Sequence, residues 1–223
     1  MHQKKGRRVL IYFFLLILVG SINNINLNNL KFDGVKKINL EGLSDKDNLD
    51  LLKEIYNLNL NNIFFVDIND LKNKIEANNL VEKYSIFKIY PNTLNIVIEK
   101  TKFLARINYN GKIFIIGSNG KLSKNNISKI QLPFIFGKPK ITEFLDLKKI
   151  IDESNFSFDE IENLYFFSSK RWDLELKNNV LIKLSKNHIE ESLDLASEFL
   201  NNKNFEGVKI IDTRIKDQII LNG

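Results

Sequence analysis

The chain has 223 residues, 43% hydrophobic and 27% charged, which gives it enough apolar material for a buried core and excludes a disordered polar tract. It contains no cysteine, so disulfides, thiolate metal sites and cysteine nucleophiles are excluded. The net charge is +6, but Lys4, Lys5, Arg7 and Arg8 supply part of it, and no Lys/Arg cluster interleaved with aromatics follows, which argues against nucleic acid as a partner.

The basic start "MHQKKGRR" precedes an apolar run whose first part is Val9, Leu10, Ile11, Tyr12, Phe13, Phe14, Leu15, Leu16, Ile17, Leu18 and Val19, continuing to Ile22. As a helix the run Val9–Ile22 spans about 21 Å, short of the ~30 Å hydrocarbon core. Including residues up to Leu27 brings it closer. The expectation is an uncleaved membrane anchor over residues 9–27, with residues 1–8 as a cytoplasmic tail. A cleaved secretory signal, with Val19 and Ser21 around the cleavage point, is the alternative. Either reading sends the remainder across the membrane, because basic flanks stay inside.

The next seventy residues form a compact pattern. "VKKINLEG" alternates as a strand. Ser44 and Asp47 open a helix in which Leu49, Leu52, Ile55 and Tyr56 are expected to share the buried face. "NIFFVD" is a short extended run, and Asp67 is placed to cap a second helix carrying Ile68, Leu71 and Ile75. "LVEKYSIFKIYPNTLNIVIEK" then reads as a hairpin. Leu94, Ile96 and Ile98 point one way along its second arm, and Tyr84 and Tyr90 lie opposite Phe87 on the first.

Beyond Phe103 turns become frequent. Asn110-Gly111 marks a hairpin and Asn119-Gly120 a second turn. "NNISKIQLPFIFGKP" is irregular, "ITEFLDLKKIIDES" helical, and "EIENLYFFSS", "RWDLELK" and "VLIKLS" read as strands, with Trp172 expected in the core. The segment "KNHIEESLDLASEFLNN" is an amphipathic helix with Ile189, Leu193, Ala196 and Leu200 on one face. Two strands, "GVKIIDTR" and "DQIILNG", complete an antiparallel sheet with packed helices, an α+β arrangement.

Taken in order, the basic start and apolar run, "INLEGL", "IFFVD", "YPNTLNIVIEK", "GKIFIIGSNGKL", "LPFIFG", "WDLELKNNVLIKL" and "IIDTRIKDQIIL" resemble the bacterial cell-division family FtsQ/DivIB. Lys102, where the family often has Pro, and Gly117, where it usually has Asp, depart from the pattern. The resemblance implies a single N-terminal transmembrane helix, a POTRA-like β-α-α-β-β domain over residues 28–101 and a mainly antiparallel β domain with packed helices over 102–223. It also implies a single-pass inner-membrane scaffold of the division septum that binds small membrane proteins of the FtsB and FtsL type, with no cofactor and no small-molecule substrate. A POTRA-type chaperone-like module of a secretion or outer-membrane assembly system is the alternative, though such proteins usually carry several POTRA repeats or a barrel.

Enzymatic material is scarce. His2 lies in the basic tail and His188 at a helix start, so neither a zinc site nor a Ser/His/Asp triad has its ligands. Asp45, Asp47 and Asp50 lack the Gly and distal Glu of a calcium loop. The expected working surface is the terminal strand, Arg214, Ile215, Lys216, Asp217, Gln218, Ile219, Ile220 and Leu221, to whose edge a partner would add as a further strand. If no bulge intervenes, alternation puts Ile215, Ile219 and Leu221 on one face and Arg214, Lys216, Gln218 and Ile220 on the other.

Overall fold

The computed structural model describes residues 3–22, 34–58, 60, 63, 66–124, 131–201 and 207–222. Helix α1, Gln3–Ile22, comes first. Its residues Val9 to Val19 are all exposed, so the helix presents an apolar surface on every side. No helix among the described residues is long and apolar enough to cross a membrane. The basic residues Lys5, Arg7 and Arg8 occupy the first turns of α1 and leave its apolar part too short. The rest of the expected anchor, residues 23–27, lies outside the described residues.

The first sheet has the order β1-β3-β2 and is built from β1 (Lys37–Glu41), β2 (Val81–Ile89) and β3 (Thr93–Lys100). β1 pairs parallel and β2 antiparallel to the central β3. Two helices, α2 (Asp45–Tyr56) and α3 (Ile68–Ala77), lie between β1 and β2 in the chain and pack on one face. Ser44 accepts a hydrogen bond from the Asp47 N–H and Asp67 one from the Asn69 N–H, so both helices start where the cap residues dictate. The core beneath them holds Leu94, Ile96 and Ile98 from β3, Leu71 and Ile75 from α3, and Ile63. On α2 the buried pair is Leu51 and Ile55, whereas Leu49 and Tyr56 are exposed, contrary to the expected face. Leucines at 49, 51 and 52 offer the helix two apolar stripes, and contact with the sheet selects the one through 51 and 55.

The second sheet has nine strands in the order β12-β11-β10-β9-β8-β7-β4-β5-β6. They are β4 (Phe103–Tyr109), β5 (Lys112–Gly117), β6 (Leu122–Lys124), β7 (Phe134–Phe136), β8 (Ile161–Phe166), β9 (Trp172–Leu176), β10 (Leu181–Lys183), β11 (Ile210–Asp212) and β12 (Ile220–Asn222). β7, within the stretch expected to be irregular, joins β4 to β8 by parallel pairing on both sides. Helices α4 (Ile141–Glu153) and α5 (Ile189–Leu200) cover one face. Phe144, Leu147, Leu193 and Ala196 from the helices meet Ile107, Ile135, Leu164, Trp172, Leu174, Ile182 and Ile211 from the strands. The chain is thus a POTRA-like unit followed by a β-rich unit with helices.

A polar joint connects the two units. The Asn119 side chain donates to the carbonyls of Asn79 (3.0 Å) and Val81 (2.9 Å) and accepts from the Lys121 N–H (3.0 Å). Glu82 accepts from the hydroxyls of Thr101 (2.9 Å) and Ser118 (2.7 Å). Asn79 donates to the Leu122 carbonyl at 2.8 Å, and Lys121 Nζ to the carbonyls of Glu76 and Asn78. A Cβ at Gly117 would lie 2.7 Å from both Asn119 Oδ1 and Thr101 Oγ1, so the glycine at this position makes room for the joint.

Candidate partner-binding edge

β12 stands at one edge of the nine-stranded sheet. It pairs antiparallel with β11, Leu221 opposite Ile211 and Ile220 opposite Asp212. Opposed residues share a face, so Leu221 lies over the helix-covered side and Ile220 on the open side. Ile220 is 52% and Leu221 38% exposed.

The segment leading to β12 is held by buried polar contacts. Thr213 donates both its N–H and its hydroxyl to the Lys183 carbonyl, each at 3.0 Å, and its own carbonyl accepts from Ser192 Oγ at 3.1 Å. Asp212 accepts from Arg214 Nε at 2.8 and 2.9 Å, from Nη2 at 2.5 Å and from the Arg214 N–H at 3.1 Å. The Arg214 hydrogen bonds hold the Asp212 carboxyl below the usual carboxylate range, against the opposing pull of burial.

Beyond Arg214 the expected alternation fails. Gln218 N–H donates back to the Ile215 carbonyl at 3.2 Å, and Asp217 adopts φ +56°, which closes a turn. The strand therefore begins at Ile220, not Asp217. Ile215, Lys216, Asp217 and Gln218 are exposed in this turn, and Ile219 is half-buried against the core. Arg214 is committed to Asp212 within the chain. Of the eight expected contact residues, the structure puts Ile220 and Leu221 on the edge strand itself and the other six in the approach to it.

The uncovered face of the sheet carries a continuous row that alternation along single strands does not reveal. Phe136, Tyr165, Asp173, Lys183, Asp212 and Ile220 are opposed in successive pairs from β7 to β12. Phe136 stacks on Tyr165 with ring centroids 5.0 Å apart. Tyr165 donates to Glu175 at 2.6 Å, and that bond pushes its hydroxyl up to about 12. Burial pushes the Asp173 carboxyl up, while Arg171, with Nε at 3.0 Å, opposes the shift. His188 sits 3.7 Å from Glu191 at the start of α5, and the described residues contain no cluster of three potential metal ligands.

A sequence model of the POTRA domain, FtsQ-type, matches residues 34–100. A second, of the cell division protein FtsQ/DivIB C-terminal domain, matches residues 97–214, more than half of the chain. The chain belongs to the FtsQ/DivIB family. Among relatives, the cell division protein FtsQ of Rickettsia conorii is 26% identical over 193 residues, covering 82% of this chain and 70% of its own. FtsQ of Bradyrhizobium diazoefficiens is 23% identical over 163 residues, covering 71% of this chain, and the match spans about half, 48%, of that protein's length. DivIB of Clostridium acetobutylicum is 33% identical over 110 residues, 46% of this chain and 42% of that one. The solved major extracytoplasmic domain of DivIB from Geobacillus stearothermophilus overlaps with a TM-score of 0.34 at 13% identity, covering 46% of this chain and 98% of that one. Membership places the chain among the cell-division proteins.

Proposed function

We propose that the protein is a single-pass scaffold of the division complex, anchored in the inner membrane through Val9–Leu27, with residues 1–8 cytoplasmic and the units over 28–101 and 102–223 periplasmic. Its β12 edge accepts a strand from a membrane protein of the FtsB or FtsL type. The observation that carries the binding reading is the position of β12: a sheet edge with exposed apolar side chains on both faces. Main-chain hydrogen bonds would supply much of the affinity, and Ile220 and Leu221, on opposite faces, would read the partner's alternating side chains. The anchor reading is supported by α1, whose residues Val9 to Val19 are exposed and whose basic start matches the inner flank of a membrane segment.

The test is a proline scan of the edge. Alternate N–H groups of β12 face outward, so one of Ile220→Pro and Leu221→Pro removes an outward donor and the other a donor to β11. Calorimetric titration with the soluble part of an FtsB-type partner is expected to show at least tenfold weaker binding for the outward position, with unchanged thermal unfolding. Full affinity in both variants would refute strand addition at this edge.

A further inference from the structure

The end of the POTRA-like unit that receives the chain from α1 carries a surface of its own. The Lys36 and Lys37 N–H groups donate to the Asn92 carbonyl at 2.8 and 3.3 Å, which ties the start of β1 to the tip of the β2–β3 hairpin. The Val35 N–H donates to the Leu60 carbonyl, which brings the segment after α2 to the same place. Two large side chains stand out here: Ile89 at 49% and Tyr90 at 57% exposed. They are flanked by Lys36 and Lys37, both exposed, and by Lys88.

Several acids of the unit are held elsewhere, Glu54 among them, on Lys74 at 3.3 Å. Glu41 ends β1 and Glu99 lies near the end of β3, so the strand directions put both at the far end, and Glu76 and Glu82 belong to the interunit joint. Asp67 and Asp70, in the first turn of α3, do lie toward this end, but Asp67 is turned onto the Asn69 N–H at 2.8 Å. Residues 23–33 join α1 to this end, a stretch that can extend to at most about 40 Å.

A tyrosine and an isoleucine beside lysines, tethered within that reach of an apolar helix, have the composition of a headgroup-level contact. We propose that this end of the unit docks on the anionic phospholipid surface of the membrane, with Ile89 and Tyr90 entering the headgroup layer and Lys36, Lys37 and Lys88 meeting phosphates. The proposal rests on the anchor reading above. Docking by this end would fix the orientation of the POTRA-like unit on the bilayer and, through the Asn119 joint, aim the β12 edge.

The absence of native cysteines permits single-site labelling. The full chain, carrying an environment-sensitive fluorophore at Leu16→Cys, Ile89→Cys, Tyr90→Cys or, as a remote control, Lys149→Cys, is reconstituted in phosphatidylethanolamine–phosphatidylglycerol vesicles containing a headgroup-level quencher. Quenching is expected at positions 16, 89 and 90 and not at 149. Replacing phosphatidylglycerol by phosphatidylcholine, or combining Lys36→Gln, Lys37→Gln and Lys88→Gln, should lower the docked fraction at least fivefold, each lysine being worth up to about fivefold. Position 16 should stay unchanged. Quenching at 16 without quenching at 89 and 90 overturns the docking and leaves the anchor standing. No quenching at 16 overturns the anchor and this proposal with it. Quenching at 89 and 90 that is indifferent to both lipid charge and the lysines overturns the anionic surface as the ligand. Shielding of 89 and 90 only after another division protein is added assigns this end to a protein and overturns the lipid.

Discussion

Replacing Asn119 by Ala tests whether the two units act as one body. The change removes two donors to the carbonyls of Asn79 and Val81 and one acceptor for the Lys121 N–H. At about 0.5–1.5 kcal/mol net per bond the three together would contribute about 1.5–4.5 kcal/mol. Water reaches the Asn79 end, which favours the lower part of that range, so the expected loss is about 2 kcal/mol. Trp172 is the sole tryptophan and is buried in the second core, so its fluorescence follows that unit alone, whereas far-ultraviolet circular dichroism follows both. In urea, with a slope of about 2 kcal/mol/M for a unit of this size, the loss corresponds to a midpoint shift of about 1 M. Asn119→Ala should therefore separate the two transitions or lower the less stable one by about that amount. If both probes keep their wild-type midpoints within the equivalent of about 0.5 kcal/mol, the joint does not couple the units and the reasoning is wrong.

Two further outcomes are expected. Asp212 titrates below the usual carboxylate range when folded, so its stabilising contribution is complete above the unfolded value, about 3.9, and fades as pH falls through the lower folded value. Asp212→Asn should accordingly be less stable than wild type at pH 7, with the gap closing as denaturation is measured at progressively lower pH below about 4; a gap independent of pH would show that the Arg214 contact is not the cause. Phe144 is fully buried between α4 and the second sheet, and Phe144→Ala should cost about 3–5 kcal/mol in chemical denaturation without touching the first core, a loss below about 1 kcal/mol contradicting the packing described.

Local periodicity made much of this fold legible. Leu94, Ile96 and Ile98 alternate because β3 has one face on the helices, and all three are buried. Ser44 and Asp67 mark helix starts because orphan N–H groups need an acceptor within two or three residues. What stayed hidden depends on distance in the chain. Asn119 reads as a turn residue, and it is one, but its amide reaches carbonyls some forty residues earlier, and no local pattern encodes that. The open-face row from Phe136 to Ile220 likewise exists only once five registers are fixed. The terminal strand was legible as an edge and misread in extent. "DQIILNG" reads as a strand from Asp217, yet the left-handed Asp217 and the Gln218–Ile215 hydrogen bond close a turn there, and pairing starts at Ile220. On α2 the composition allowed two stripes, and only the neighbouring sheet could choose between them.

The two edges of the large sheet are unequal. β6 is engaged by the first unit, through Asn79 on the Leu122 carbonyl, while β12 lies open at the opposite side. A sheet with two free edges can propagate: each added chain leaves a fresh edge for the next. With β6 engaged by the preceding unit, the large sheet keeps β12 as its one free edge among the described residues. Two copies joined through that edge would close as a pair, and a foreign strand added there would leave no second β12 edge for the next. The contact that makes the two edges unequal thus lies at the other end of the sheet, some hundred residues earlier in the chain.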